Sequence, residues 1–293
     1  MSFTVVTVIH NSAPDLQRLL HSIERHLDPR PQVIVVDSGS SDDGLAIAAA
    51  AGAQTIALHG NPGFGAANNA GVARADHDVT VLLNPDVELR DAGLALLTAR
   101  AGQRDVLLTP RLLNPDGSVQ TSAWPVPGGW GALLWAAVPG PLRRDPAGPA
   151  GWVLGAAIAA RTKLLTDLGP FDPTAFLFFE DLDLCLRARE RGVPVVLDPS
   201  IEVVHRGAHA TGPAFVEEPI ELHVRRRRAV VGARLGPRAL HLDDAAQALT
   251  FTMRAWRARD RAYLRALIAE RRGATGRPTD SSPTPPRETS RRR

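Results

Sequence analysis

Four groups of side chains in this 293-residue chain have the types and spacing to do chemistry. Asp37 closes the Val-rich run Gln32–Val36 and opens Asp37-Ser38-Gly39-Ser40-Ser41-Asp42-Asp43-Gly44. A carboxylate there could accept hydrogen bonds from a ribose or a base, and it would serve equally well as a turn residue capping the next helix. Asn84-Pro85-Asp86 ends a second apolar run, Val79–Leu83. A nucleoside diphosphate is polyanionic, so a hard divalent cation such as Mg²⁺ or Mn²⁺ bridging it to a carboxylate is the chemistry such a position would serve. The second such tripeptide, Asn114-Pro115-Asp116, precedes Gly117 and reads as a hairpin turn. Glu180, Asp181 and Asp183 crowd together behind the apolar run Phe176–Phe179. The helix dipole accounts for acidic residues in a first turn. Crowded carboxylates also raise one another's pKa, which a general base working near neutrality requires. His205 ends the last core run, and a lone histidine is more often structural than a ligand.

These groups need a scaffold, and the pattern supplies one. Phe3–Ile9, Gln32–Val36, Gln54–Leu58 and Val79–Leu83 read as strands. Between them lie a helix carrying Leu16, Leu19, Leu20, Ile23 and Leu27 and ended by Asp28-Pro29, a short helix over Leu45–Ala51, and one opened by Asn61-Pro62-Gly63-Phe64-Gly65 and running to Arg74. The pattern predicts a mostly parallel β-α sheet with its polar loops at the carboxyl ends of the strands, where such sheets place ligands. Beyond Asp105 the pattern is mixed. Val106–Thr109, Trp152–Ala160, Val193–Leu197 and Ile201–Val204 read as strands and Asp181–Arg191 as a helix. Trp124–Pro149 is a Pro/Gly/Trp-rich excursion, a candidate substrate loop. Asp243–Arg272 reads as one long basic helix, and 273–293, dominated by Thr, Ser, Pro and Arg, as a disordered tail.

Composition narrows the classes. At 44% hydrophobic and 22% charged, the chain is neither wholly disordered nor fibrous. Its single cysteine, Cys185, excludes a disulfide framework and a Cys-rich metal site, points to a reducing compartment, and reads as core. The N-terminus shows no basic leader ahead of its apolar run, and no run reaches the ~18 to 20 residues of a membrane span. The expected location is therefore cytoplasmic. The net charge of +3 divides unevenly: residues 1–205 hold 15 Lys and Arg against 22 Asp and Glu, and 206–293 hold 19 against 9. No aromatic-interleaved basic strand or recognition helix accompanies that excess, so nucleic acid is not the expected partner. The turn after the first strand, His10-Asn11-Ser12, lacks the Gly-rich fingerprint of a dinucleotide-binding dehydrogenase and the Gly-rich phosphate loop of a sugar nucleotidyltransferase.

Together the segments Val5–Asn11, Val35–Gly44, Asn61–Gly65 with Asn68-Asn69-Ala70-Gly71, and Leu83–Asp86 resemble the nucleotide-sugar half of family 2 glycosyltransferases. Gly155-Ala156-Ala157, Gly169-Pro170-Phe171-Asp172, Phe179–Leu184 and Val204-His205 resemble their acceptor half, with the rhamnosyltransferases of bacterial cell-wall and surface-polysaccharide assembly as the branch they are most similar to. The resemblance runs in unbroken order over roughly residues 3–210. It implies a GT-A α/β fold with a Rossmann-like sheet, in which 1–104 bind the nucleotide sugar, 105–210 bind the acceptor, and 211–272 form a basic helical extension. It implies a divalent metal, Mg²⁺ or Mn²⁺, and inverting transfer from a nucleotide-sugar donor, a dTDP-sugar in that branch, to a saccharide or polyprenyl-linked acceptor.

Carried over by position, the resemblance makes Asp181 the base and gives the donor His10, Asn11, Asp37, Gly65, Asn68 and Asn84. It makes Asp86 and His205 metal ligands, and puts Trp152, Gly155, Glu180 and Asp183 against the acceptor. Asn84 stands where the usual Asp-x-Asp has its first carboxylate, which removes a charge and weakens metal affinity. A polyprenyl-linked acceptor would bring the enzyme to the inner face of the membrane, and two features would suit a peripheral contact. They are Arg225-Arg226-Arg227-Arg228 and a helix holding Leu249, Phe251, Met253, Trp256, Tyr263, Leu264 and Leu267 beside five arginines. That apolar face would serve equally to pack on the catalytic domain. A non-catalytic interaction protein is the competing class, and alanine at Asp181 separates the two.

Overall fold

The structure is a computed structural model describing residues 2–138, 148–169, 171–172, 177–207, 219–255 and 257–273. β1 (Thr4–Ile9), α1 (Ala13–His26), β2 (Gln32–Asp37), α2 (Gly44–Ala50), β3 (Gln54–Ala57), α3 (Phe64–Val72) and β4 (Val79–Leu83) follow the expected repeat. The four strands are parallel in the order β3-β2-β1-β4. β1 and β4 are buried at every residue, so both faces need apolar or small side chains and the strands read as continuous runs. Successive side chains divide between two cores. Val5, Ile9, Val33 and Val35 pack with Leu16, Leu19 and Ile23 of α1. Val6, Val8, Ile34 and Val36 pack on the other face with Ala67 and Val72 of α3.

Between Asp86 and Asp105, where the pattern predicts no element, lie β5 (Val87–Leu89) and α4 (Gly93–Ala101). β6 (Leu107–Leu113) and β7 (Val119–Gln120) make a hairpin around Asn114–Ser118. The excursion starts in β8 (Ala123–Trp124), contains α5 (Trp130–Ala137) and ends with β9 (Gly148–Pro149), and its residues 139–147 lie outside the described residues. The expected strand Trp152–Ala160 is instead two. β10 (Trp152–Val153) pairs with β8 in a separate small sheet, and β11 (Ala157–Arg161) enters the main sheet antiparallel to β4. α6 (Thr162–Leu168), unpredicted, and α7 (Glu180–Glu190) follow. The two expected strands after Val193 are one, β12 (Val195–His205), with a register shift against β6 between Asp198 and Glu202. The main sheet runs β3-β2-β1-β4-β11-β6-β12-β5, mostly parallel, with β11 and β5 reversed.

The expected single helix over Asp243–Arg272 is also two, and it starts earlier. α8 (Pro219–Thr252) bends at Gly236, whose φ of 81° precedes Pro237, and α9 (Ala258–Gly273) folds back on it. Val224 of α8 with Tyr263, Ala266 and Leu267 of α9 forms a small core, so much of the apolar face on that stretch is covered within the chain. Val230 and Val231 of α8 belong to the same core as Ile34, Leu82 and Leu184. The tail 274–293, with Trp256, lies outside the described residues.

Candidate active site

The carboxyl ends of β1 and β2 present the first group. His10 Nδ1 lies 2.9 Å from Ser38 O, and Asn11, held at φ 50°, accepts the Ser41 N–H on Oδ1 at 2.8 Å. Asp37 is buried, and its Oδ1 accepts the Ser40 N–H at 3.0 Å, so it closes its own turn while facing the loop cluster. Ser38 Oγ donates to Asn61 at 2.8 Å and ties the second strand's loop to the third's. A Cβ on Gly65 would stand 3.0 Å from Phe171 Cβ and 3.7 Å from Glu180 Cγ, so the start of α3 is where the two halves meet. Asn68 is buried and its amide donates to Phe64 O within its own helix, at 3.0 Å. Its neighbour Asn69 bridges the halves, accepting from Phe171 N at 3.0 Å and donating to Phe171 O at 2.8 Å.

At the end of β4, Asn84 N donates to Ala156 O at 2.9 Å, and Asn84 Oδ1 is buried with no hydrogen-bond partner among the described residues. Asp86 is buried, with Oδ2 accepting the Gly207 N–H at 3.0 Å and Oδ1 standing 3.5 Å from His205 Nε2. Burial holds His205 below its ordinary range against the pull of Asp86, so the imidazole is neutral at pH 7. Oxygen and imidazole donors of this kind suit a hard or borderline divalent ion. Among the described residues no group of three or more His, Cys, Asp and Glu is placed to hold a metal. An ion here would therefore complete its shell from a diphosphate and water.

One residue before Ala156, the break between β10 and β11 puts Gly155 against the base candidate. Gly155 N donates to Asp181 Oδ2 at 2.9 Å, and Leu182 N donates to Asp181 Oδ1 at 2.7 Å. A Cβ at position 155 would come within 3.1 Å of Asp181 Cβ. Burial pushes the Asp181 carboxyl above the usual range, opposed by those two N–H groups and by the charge of Arg227. Glu180 is buried with Oε1 unpartnered among the described residues, and burial pushes it up to about 8. Asp183 instead accepts from Arg187 Nε at 2.8 Å and from Arg234 Nε at 2.7 Å. The crowded trio therefore separates into one carboxyl anchored by backbone N–H groups, one buried acid and one group held by two arginines. Cys185 is buried, and burial pushes its thiol up to about 12, as a core residue's would be.

The wall beside Asp181 is aromatic. Trp152 is buried and stacks on Trp124 at 4.3 Å between ring centroids, which leaves the half-buried Trp124 as the ring nearer solvent. Phe178 and Phe179, with φ of 74° and 65°, both occupy the left-handed region that bulky residues avoid. His223 of α8 packs edge-on against both rings, at 5.3 and 4.5 Å, and burial pushes its imidazole down to about 4. Arg227 lies 5.8 Å from the Trp152 ring and 5.5 Å from the Phe179 ring. Neither His223 nor Arg227 is legible as a site neighbour, because nothing local marks an extension 40 residues past Asp181 as part of its wall.

The sheet order is that of the GT-A fold, and solved structures bear this out. GalNAc-T7 with UDP, GalNAc and Mn²⁺ superposes with a TM-score of 0.58 at 19% identity over 78% of this chain, which spans about half, 48%, of that one. The mannosyltransferase PcManGT from Pyrobaculum calidifontis, with GDP-Man and Mn²⁺, gives 0.58 at 16% identity over 94% of this chain and 88% of its own. The profile of Glycosyl transferase family 2 matches residues 4–135. An N-acetylglucosaminyl-diphospho-decaprenol L-rhamnosyltransferase of Mycobacterium tuberculosis is 30% identical over 236 residues, 71% of this chain and 77% of the relative. The chain belongs to the family 2 glycosyltransferases.

Proposed function

We propose that this glycosyltransferase moves rhamnose from dTDP-rhamnose, with inversion, onto a polyprenyl-diphosphate-linked saccharide in cell-wall or surface-polysaccharide assembly. The name of the mycobacterial relative supports both the sugar and the acceptor class. Such an acceptor puts the reaction at the cytoplasmic face of the membrane, and no helix among the described residues is long and apolar enough to cross it. The observation that carries the reading is a short backbone link: Asn84 N to Ala156 O, and Gly155 N to Asp181 Oδ2. It ties the diphosphate-side turn to the base through two consecutive residues.

In this reading His10, Asn11 and Asp37 hold the nucleoside, while Gly65 and the α3 asparagines border the donor. Trp124, backed by Trp152, meets the acceptor ring. Asp181 takes the proton of the acceptor hydroxyl, and that oxygen attacks the anomeric carbon from the side opposite the diphosphate. One displacement inverts the configuration, and the nucleoside diphosphate departs with the bonding pair. Asp86, His205 and the Asn84 carbonyl oxygen would hold Mg²⁺ or Mn²⁺, which when bound neutralises charge on the diphosphate. Glu180, neutral at pH 7, has a proton to donate to a sugar hydroxyl or a phosphate oxygen.

A thermal-shift screen of nucleotide sugars with Mn²⁺ tests the donor. Saturation at about 100 times Kd adds about 2.7 kcal/mol, and dTDP-rhamnose is expected to stabilise most. The expected product from an N-acetylglucosaminyl-diphospho-polyprenol acceptor carries the inverted linkage by NMR. Stabilisation by UDP- or GDP-sugars and none by dTDP-rhamnose would overturn the donor assignment.

A further inference from the structure

We propose that the turn Asn114–Ser118, acting through Gln120, decides which ring nitrogen of His205 carries the proton. The inference rests on the reading of Asp86 and His205 as metal ligands. Asp116 Oδ1 accepts from Ser118 N at 2.9 Å and from Ser118 Oγ at 2.6 Å. With its one proton committed to a carboxylate, which has none to give, the Ser118 hydroxyl can only accept, and it accepts from Asn114 Nδ2 at 2.9 Å. That fixes the orientation of the Asn114 amide. Its Oδ1 faces Gln120 and accepts from Gln120 Nε2 at 3.3 Å. Gln120 is oriented in turn, and its Oε1 lies 2.7 Å from His205 Nδ1.

Every bond in the series runs one way, from His205 to Asp116. An amide oxygen cannot donate, so Nδ1 must carry hydrogen, and in the neutral imidazole the lone pair is left on Nε2. Nε2 is the atom that stands 3.5 Å from Asp86 Oδ1. The other Asp86 oxygen is taken by the Gly207 N–H at 3.0 Å. Gly207, at φ 61°, packs so closely that a Cβ there would stand 3.4 Å from Gln120 Nε2. Two acceptor atoms thus face one another, which is a favourable arrangement only when something positive lies between them. A turn that merely reversed the chain would need Gly117, at φ 82°, and its backbone bond to Asn114 O at 2.9 Å. It would not need four side chains aligned in one direction from a histidine on another strand. Ligand histidines are commonly held this way by an acceptor on the far nitrogen, and loss of that acceptor typically weakens metal binding about 10- to 100-fold. Gln120 and Asn114 are positioning residues.

The test uses the full chain, ¹⁵N-labelled and metal-free at about pH 8, with the His205 ring assigned by comparison with His205→Gln. Long-range ¹H–¹⁵N spectra should show wild-type His205 as the Nδ1–H tautomer. Gln120→Met should move it toward Nε2–H, Gln120→Glu should restore Nδ1–H, and Asn114→Leu, in the turn, should give an intermediate mixture. Should Gln120→Met fail to fold, Asn114→Leu and Gln120→Glu carry the test. Mn²⁺ titration followed by EPR should show about 10- to 100-fold weaker binding in Gln120→Met and recovery in Gln120→Glu. An Nε2–H tautomer in the wild type, or an Nδ1–H tautomer that survives in both Gln120→Met and Asn114→Leu, overturns the relay. His205→Gln binding Mn²⁺ as tightly as wild type overturns the metal reading instead, and the tautomer spectra still decide the relay.

Discussion

Three carboxylates within four residues of α7 carry different loads. Asp181 accepts a backbone N–H on each carboxylate oxygen, of which an amide can keep only one, so Asp181→Asn should cost some stability while leaving binding at the distant β1 and β2 turns unchanged and lowering turnover about 10²- to 10⁴-fold. Near wild-type turnover would move the base elsewhere. Glu180 titrates near 8 when folded against an ordinary 4.5. Between those values the folded chain holds a proton that the unfolded chain has released, so this group makes stability fall as pH rises, by about 1.4 kcal/mol per pH unit. Glu180→Gln lacks that titration. Its melting temperature relative to wild type should therefore climb between about pH 5 and 8, whereas parallel curves would show that Glu180 is ionised throughout. The crowding of the trio was legible in the sequence, and so was the place of Asp86 and His205 at strand ends. What separates Glu180 from Asp183 was not, because it depends on Arg187 one helical turn away and Arg234 on a different helix.

At the scale of elements, the parallel strands and the first helices were readable because their apolar spacing is set locally. The break inside Trp152–Ala160 was not, since a continuous apolar run carries no mark of where the chain leaves one sheet for another; only Gly155 hints at it. The interruption between α8 and α9 contains neither Gly nor Pro in 253–257 and was equally silent, whereas the bend at Gly236-Pro237 has both. The seating of α3 does leave a trace. A Cβ on Gly71 would fall 2.3 Å from Val6 Cγ1 and 3.1 Å from Val36 Cγ2, so the helix lies on β1 and β2 only because that position has no side chain. Gly71→Ala should lift α3, lower stability by about 1–3 kcal/mol, and shift Gly65 and Asn69 enough to raise the donor's KM. Melting and donor titration at wild-type values would mean that the sheet absorbs the methyl group.

For the whole molecule, the charge asymmetry takes on a different meaning from that suggested by a polybasic run. Arg227 is buried and makes paired 2.8 Å bonds to Asp243, Arg228 pairs with Asp244, and Arg234 reaches Asp183, so three arginines of the extension are paired with carboxylates within the fold. Tyr263 and Leu267, which would have faced a lipid surface, are buried against α8, with Phe251 stacked on Tyr263 at 3.7 Å. The extension therefore packs as part of the fold, with Val230 and Val231 in the core that carries Leu184. Breaking a buried ion pair by removing one partner leaves an uncompensated charge and typically costs about 3–5 kcal/mol. Asp243→Ala should lower the unfolding free energy by that order. Arg227→Met combined with Asp243→Ala should recover much of it, because the orphaned charge is gone. Truncation after Gly236 removes Asp243, Asp244 and all of α9, and should leave a chain that aggregates or melts well below the full-length protein. A truncated chain that melts like wild type, or Asp243→Ala with unchanged stability, would show that the rest of the chain stands without the helices behind its aromatic wall.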